Sequence, residues 1–218
     1  MDLKPTVKFL KELKENNNKE WFDENRKTYE TCRKTFLELA QQIIDGIAKF
    51  DEELTGVDAK KCVFRINRDI RFSKDKTPYK TNFGALMGPN GKKSEGTGYY
   101  VHIAPGNNFV GGGIYMPRPE KLAAIRQEID YNPDALNKLI SSKDFKETFG
   151  EIHGDKLKTA PKGYPKDHPN IELLRLKSFY VLKEFRDKEL TAEGFLKEAL
   201  STYKKASKFN DYLKVALD

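Results

Sequence analysis

Three short strand-like stretches between residues 81 and 115 constrain the fold of this chain more than any other feature. They occupy residues 81–87, 99–104 and 109–115, and the residues that separate them include Gly, Pro and Asn, which favour turns. Consecutive strands joined by tight turns pair in antiparallel order, so this region predicts an antiparallel sheet. A further strand is predicted over residues 178–185.

Apolar residues recur at helical spacing at both ends of the chain. Val7, Leu10 and Leu13 predict a first helix, and Asn17 is predicted to start a long second one. More helices are expected after the strands, and Thr191 is predicted to cap a C-terminal helical region. Helices at both ends with strands between them predict an α+β fold rather than alternating α/β.

The chain is predicted to form one domain over residues 1–218, because no linker, repeat or low-complexity tract divides it. Its N-terminal segment 5–50 is helical, its middle part 60–116 is rich in strands, and its remaining part 117–218 is helical or mixed. The expected architecture is a central antiparallel sheet of about four to six strands, with N-terminal, middle and C-terminal helices packed on it.

The sequence gives no sign of a membrane-spanning or secreted protein. No apolar run approaches the length that crosses a bilayer, and the N-terminus lacks the pattern of a signal peptide. The expected location is the cytoplasm, with no membrane contact. The two cysteines, Cys32 and Cys62, are expected to be buried thiols rather than a disulfide. The three histidines show no spacing typical of metal ligands, so no metal site is predicted.

The excess positive charge is concentrated between Lys60 and Lys80. This short stretch contains eight Lys or Arg residues and two Asp residues, so it carries a net +6 of the total charge of +7. A concentrated basic segment is typical of a protein that binds an anion. We call residues 64–80 the cassette.

The cassette is predicted to be one extended strand with two different faces. One face is expected to anchor it in the core through Phe64, Ile66, Ile70 and Phe72. Guanidinium groups on such a strand donate paired hydrogen bonds to phosphate or carboxylate oxygens and stay charged at biological pH. The alternative interpretation is a solvated basic segment whose Arg–Asp pairs brace a bend.

Most of the predicted ligand-binding residues belong to the cassette. The full set is Arg65, Arg68, Arg71, Lys74, Lys76, Tyr79, Lys80, Gly112, Arg118 and Lys177. Gly112 is included because three successive glycines in a predicted strand allow either close approach of a ligand or tight packing between elements. Arg118 precedes a predicted helix, whose N-terminus favours anions, and Lys177 opens the late strand.

The residues leave open whether chemistry follows binding. Phosphoryl or phosphodiester chemistry is the natural extension of a cationic cluster, because such a cluster stabilises the charge of that transition state. The candidate catalytic residues are Asp69, Asp75 and His168. Either aspartate would then act as a base or hold Mg²⁺, which is expected as a cofactor only if this chemistry occurs.

The leading hypothesis is a protein that binds a phosphate-bearing or other anionic small molecule, or a nucleotide, through the cassette. A second hypothesis is nucleic-acid binding through the same strand, with Tyr79, Tyr99 or Tyr100 stacking on bases. A third is an interaction module that meets an acidic partner protein. A steep dependence of binding on salt would favour a nucleic-acid polymer over a small ligand.

The cassette resembles a widespread microbial family known as domain of unknown function 2461. The residues that carry the resemblance include Glu20-Trp21-Phe22, the cassette from Phe64 to Lys80, Gly98-Tyr99-Tyr100, Gly111-Gly112-Gly113 and Asp167-His168-Pro169. The resemblance runs close to the full length and implies a compact protein that usually stands alone. It implies no activity, cofactor or catalytic residue.

Overall fold

The computed structural model describes residues 2–217, so Met1 and Asp218, the two ends of the predicted domain, lie outside it. Helix α1 spans Lys4–Glu15 and has Pro5 in its first turn, where the fixed φ of proline suits a helix. Its buried stripe is the predicted one and consists of Val7, Leu10 and Leu13, together with Thr6 and Phe9.

Two helices replace the single long helix that was expected to begin at Asn17. Helix α2 (Lys19–Glu24) starts one residue later, because the Asn18 side chain accepts a hydrogen bond from the backbone N–H of Trp21 at 2.9 Å. Helix α3 (Arg26–Ile47) follows after a break at Asn25. The Asn17 side chain is therefore available for a contact elsewhere in the molecule.

Residues 2–217 hold a four-stranded antiparallel sheet, which confirms the predicted α+β fold. Its strands are β1 (Phe83–Met87), β2 (Gly98–Ile103), β3 (Asn108–Ile114) and β4 (Phe179–Phe185). They lie in the order β1-β2-β3-β4, and each neighbouring pair is antiparallel. Each lies within two residues of a predicted strand.

The two faces of the sheet differ, because alternate strand residues point in opposite directions. The inner face packs against helices, and its Ala85, Val101, Val110 and Val181 are at most 1% exposed. The opposite positions form what we call the outer face. They are Gly84, Leu86, Gly98, Tyr100, His102, Phe109, Gly111, Gly113, Tyr180, Leu182 and Glu184. Except for the buried glycines Gly84, Gly98 and Gly111, these positions are partly or fully exposed.

Short and medium helices fill the remaining chain. They are α4 (Ala59–Cys62), α5 (Pro119–Tyr131), α6 (Pro133–Ser141), α7 (Lys143–Phe149), α8 (Ile171–Leu174) and α9 (Asp187–Leu190). Thr191 follows α9 instead of capping the last helix, and α10 (Phe195–Val215) begins after Gly194, whose φ is +100°. Within residues 2–217, none of the helices combines the length and the hydrophobicity that spanning a bilayer requires.

The glycine run of β3 is explained by packing between elements. Helix α10 crosses the inner face against β3, and a Cβ at Gly112 would lie 3.2 Å from the Cβ of Ala206. Gly113 has φ +138°, and a side chain there would overlap the carbonyl oxygen of Phe179. The structure therefore favours tight packing over close ligand approach as the reason for these glycines.

The prediction of an extended strand over the cassette is wrong. The segment is an irregular hairpin whose base is held by a single bridge between Asn67 and Tyr79. Phe72, which was expected in the core, is 96% exposed, and Phe64 is 36% exposed, whereas Ile66 is buried. The cassette is thus anchored at its two ends and open in its middle.

Local side-chain contacts explain why the cassette does not extend. Asp69 accepts a hydrogen bond from the backbone N–H of Arg71 at 3.3 Å, and Asp75 accepts one from that of Thr77 at 2.9 Å. Pro78 has no N–H to donate. Aspartates that bind the backbone two residues ahead compete with the hydrogen bonds of a strand, so the segment turns instead.

Two apolar clusters stabilise the fold and share the sheet and α10. One joins the N-terminal helices to β1 and β2, and the other joins β4 to α5, α6 and α7. Cys32 and Cys62 are buried free thiols, as predicted, although Cys62 ends α4 rather than lying in a strand. Burial raises the pKa of the Cys62 thiol to about 11.

Candidate functional site

A surface groove of about 390 Å³ lies between the cassette and the C-terminal end of α1. We call it the cassette groove. Its lining consists of Lys14, Asn17, Arg68, Asp75, Thr77, Tyr79, Lys80, Thr81 and Asn82. Within the described chain this lining contains three cations and one carboxylate, so it is positively charged, and its other side chains are hydroxyls and amides.

Asn17 holds the cassette against the N-terminal helices. Its side-chain amide donates to the Tyr79 carbonyl at 2.9 Å and accepts from the Tyr79 backbone N–H at 3.1 Å. The Tyr79 ring stacks on Phe22 with the ring centroids 3.9 Å apart. These contacts bury Tyr79 and fix one wall of the cassette groove.

Arg68 is held across the hairpin by the side chains of the opposite arm. Its guanidinium donates to Asp75 and Thr77, and to the Ser73 hydroxyl at 3.3 Å. The backbone N–H of Thr77, the Arg68 guanidinium and the Thr77 hydroxyl together lower the pKa of Asp75 to about 2. Asp75 therefore remains ionised near neutral pH and serves to orient Arg68.

Lys80 lies where the cassette groove meets the outer face of the sheet. Its ammonium group donates to the Arg65 carbonyl at 3.1 Å and lies 5.4 Å from the centroid of the Phe64 ring. Burial and the nearby Arg65 lower the pKa of Lys80. A bound anion would relieve both effects, because it would offset the lost hydration and the repulsion between the two cations.

Three other predicted ligand-binding residues of the cassette lie on its exposed turn. Arg71 makes a bidentate pair with Asp69, with Nε–Oδ1 and Nη2–Oδ2 distances of 2.9 and 2.7 Å. This pairing lowers the pKa of Asp69. Lys76 donates to the Ile70 carbonyl at 3.0 Å, and Lys74 is exposed. None of these four side chains is part of the groove lining described above.

The predicted ligand-binding residues outside the cassette do not line the cassette groove. Gly112 lies beneath α10, as described above. Arg118 pairs with Glu95, and the Lys177 ammonium lies 3.9 Å from the Asp155 carboxylate. The structure therefore gives these three residues other neighbours.

His168 has both ring nitrogens engaged away from the cassette groove. Its Nε2 lies 2.9 Å from the Asp130 carboxylate, and its Nδ1 accepts from the backbone N–H of Asn170 at 3.0 Å. The side chain is 12% exposed. These contacts hold the loop before α8 against α5. Among residues 2–217, no group of three or more His, Cys, Asp or Glu side chains is placed to hold a metal ion.

Aromatic side chains form a continuous row from the cassette onto the outer face. Phe64 contacts Tyr100 with centroids 6.4 Å apart, and Tyr100 lies 5.8 Å from Phe109. His102 stacks on Phe109 at 4.7 Å with an interplanar angle of 7°. Burial lowers the pKa of His102 and raises the pKa of Tyr100 to about 12, so both rings are uncharged near neutral pH.

Three cations flank this row at Phe64, and we call them the basic edge. They are Arg65, Lys80 and Lys92. Lys92 donates to the Val63 carbonyl at 3.2 Å, and Arg65 is exposed. The basic edge thus connects the cassette groove with the outer face.

A second groove of about 370 Å³ lies between α6, α7 and α10, and we call it the helical groove. It is lined by Ala135, Lys138, Leu139, Ser142, Asp144, Phe145, Phe149, Lys205 and Lys208. Its charged side chains are again three cations and one carboxylate, counted over the described residues. Charge alone therefore does not single out the cassette groove.

A comparison with protein families shows to which family the chain belongs. The sequence profile of the conserved hypothetical proteins DUF2461 matches residues 5–212. The chain belongs to this family. No curated protein and no solved structure gave a match. The DUF2461 profile spans the cassette and all four strands described above, and its description states no activity.

Several residues of the site in this DUF2461 protein have no local sequence signal. Lys14, Asn17 and Asn82 line the cassette groove but belong to no local basic pattern. Asn17 and Tyr79 are 62 residues apart, and no spacing rule connects them. Strand alternation places His102 on the face opposite Val101 and Ile103, and the same rule applied to Phe109 would have revealed the outer aromatic row.

The three tyrosines predicted to stack on bases differ in their exposure. Tyr79 and Tyr99 are buried, and the Tyr99 hydroxyl donates to Asp51 at 2.7 Å. Tyr100 lies on the outer face and is partly exposed. Of these three rings, that of Tyr100 is the one placed for stacking on the outer face, while Tyr79 borders the cassette groove as a largely buried side chain.

Proposed function

We propose that this protein binds a phosphate-bearing ligand in the cassette groove. The observation that supports the proposal is the meeting of cations from two distant segments in one groove. Lys14 comes from the end of α1, while Arg68 and Lys80 come from the cassette. The polar side chains around them include hydroxyl and amide groups that can donate hydrogen bonds to phosphate oxygens.

Preorganisation favours Arg68 as the central group. Its guanidinium is fixed by contacts with Ser73, Asp75 and Thr77, and its side chain is 24% exposed. A side chain that is already held in place loses less conformational entropy when a ligand binds. The contacts with Asp75, Thr77 and Ser73 use Nη1 and Nη2 of the guanidinium. The Nε–H group is therefore left to donate a hydrogen bond to a ligand.

We propose binding rather than turnover as the role of the groove. A general base works best when its pKa lies near the working pH, and the pKa of Asp75 is held at about 2. The Asp69 carboxylate is engaged by Arg71, which lowers its pKa as well. Both aspartates therefore act in the proposal as partners that orient arginines.

Calorimetry with pyrophosphate tests this proposal. Lys80→Met and Lys14→Met each remove one groove cation, and we expect each to weaken binding about fivefold to tenfold, or ~1 kcal/mol. Lys138→Met in the helical groove is the matched control and should change the affinity less than twofold. Equal losses in all three variants would indicate unspecific attraction to a basic protein, and the proposal would then fail.

A further inference from the structure

The outer face of the sheet leaves a row of aromatic rings unpartnered. Phe64, Tyr100 and Phe109 belong to neither apolar cluster of the described chain. Phe64 is 36% exposed, and Tyr100 and Phe109 are partly exposed. The inner-face residues of β2 and β3 are buried, so these strands already have a complete core on one side. The exposure of the outer rings is therefore not explained by a core that is too small.

Glycines on the neighbouring strands leave the two sides of Tyr100 without side chains. A side chain at Gly84 would overlap the Tyr100 hydroxyl, so the ring lies across the neighbouring strand at this position. On the other side Tyr100 pairs with Gly111, which also has no side chain. The ring therefore lies along the sheet instead of standing away from it, which is the arrangement that a stacking planar group needs.

We infer that this outer face stacks the bases of a single-stranded nucleic acid whose phosphates are held by the basic edge and the cassette groove. The inference rests on the proposed function for its phosphate contacts and adds the class of ligand. The rings supply sequence-tolerant stacking, and Arg65, Lys80 and Lys92 supply the charge that a phosphate backbone requires.

Charge complementarity favours an anionic occupant with bases. Three cations flank Phe64 at the cassette end of the row, while among the outer positions of the described strands the only carboxylate is Glu184, opposite Phe109 at the other end. The phosphate backbone would therefore enter from the basic edge. The centroids of Phe64, Tyr100 and Phe109 are 6.4 and 5.8 Å apart and their planes are inclined by 63° and 42°, so these rings do not stack on one another. Each ring is therefore free to take a separate base, which suits a single strand whose bases are unstacked.

Fluorescence anisotropy with labelled decathymidylate tests the inference on the full chain. Phe64→Leu and Phe109→Leu keep an apolar side chain but remove the ring, and we expect each to weaken binding about tenfold. Phe72→Leu is the matched control, because this ring is 96% exposed at the tip of the cassette, and its affinity should change less than twofold. Circular dichroism of each variant checks folding, and two independent ring variants keep the test valid if one fails to fold.

The arms of the experiment separate this inference from the proposed function. If the ring variants bind decathymidylate as tightly as the parent while Lys80→Met weakens pyrophosphate binding, the inference is overturned and the proposed function stands. If decathymidylate binding depends on the rings but pyrophosphate does not bind, stacking is supported and the groove proposal fails. A duplex of equal length that binds as tightly as the single strand overturns the inference. Poly-glutamate that competes as well as decathymidylate also overturns it and assigns the face to an acidic polypeptide.

Discussion

The cassette groove and the helical groove have similar volumes, about 390 and 370 Å³, and each is lined by three cations and one carboxylate among the residues described. They differ in what lies beneath the charges. The helical groove has an apolar floor in which Phe145 and Phe149 are 4% and 6% exposed. The cassette groove has polar walls built from amides, hydroxyls and backbone.

The cations of the two grooves are also held differently. In the helical groove Lys205 is paired with Asp144 at 2.7 Å, and Lys138 and Lys208 are exposed lysines on helix surfaces. In the cassette groove Arg68 is fixed by three side chains and Lys80 donates to the Arg65 carbonyl. Lys14, by contrast, is an exposed lysine near the end of α1. Grooves of equal charge are therefore not equivalent sites, because a phosphate also needs fixed hydrogen-bond donors around it.

The largest expected effect is a loss of folding stability when the apolar floor of the helical groove is changed. Phe145 packs on Phe149 and Phe209 beneath the helical groove. Phe145→Ala should lower the free energy of unfolding by about 3–5 kcal/mol, because it leaves a cavity in the core. Denaturant unfolding measures this loss. Pyrophosphate affinity of the folded variant should stay within twofold of the parent, and a large loss of affinity would mean that the helical groove takes part in binding.

A smaller loss of stability is expected when the polar wall of the cassette groove is removed. Asn17→Ala deletes both hydrogen bonds to the backbone of Tyr79 and should lower the free energy of unfolding by about 2 kcal/mol. Asn16→Ala is the neighbouring control, since its exposed side chain makes one bond, to the carbonyl of Glu12. Similar losses in the two variants would show that Asn17 does not anchor the cassette.

The smallest effect is a local change with pH in the cassette groove. The pKa of Asp75 is lowered from 3.8 to about 2, first by the backbone N–H of Thr77 and then by Arg68. Because the folded-state pKa is lowered, these contacts contribute stability above pH 3.8, and the contribution is lost as the pH falls toward 2. Carboxyl-carbon NMR should show this midpoint, and Arg68→Met should raise it part of the way back. A midpoint near 3.8 in the parent would contradict the assigned contacts.

The sequence was most informative about features that depend on neighbouring residues along the chain. Strand alternation and turn residues located all four strands within two residues, and the concentration of charge located the cassette. The cassette conformation could not be predicted from alternation, because Asp69 and Asp75 bind backbone N–H groups that a strand would use. The groove itself depends on Asn17 meeting Tyr79, a contact between segments 62 residues apart that leaves no local pattern.

Chemical shifts of the backbone amides, recorded while decathymidylate is added, map the binding surface of the protein. We expect the shifted amides to cluster in residues 64–82 and in the central strands β2 and β3, next to Tyr100 and Phe109. Shifts confined to residues 133–149 and 205–208, around the helical groove, would contradict this expectation.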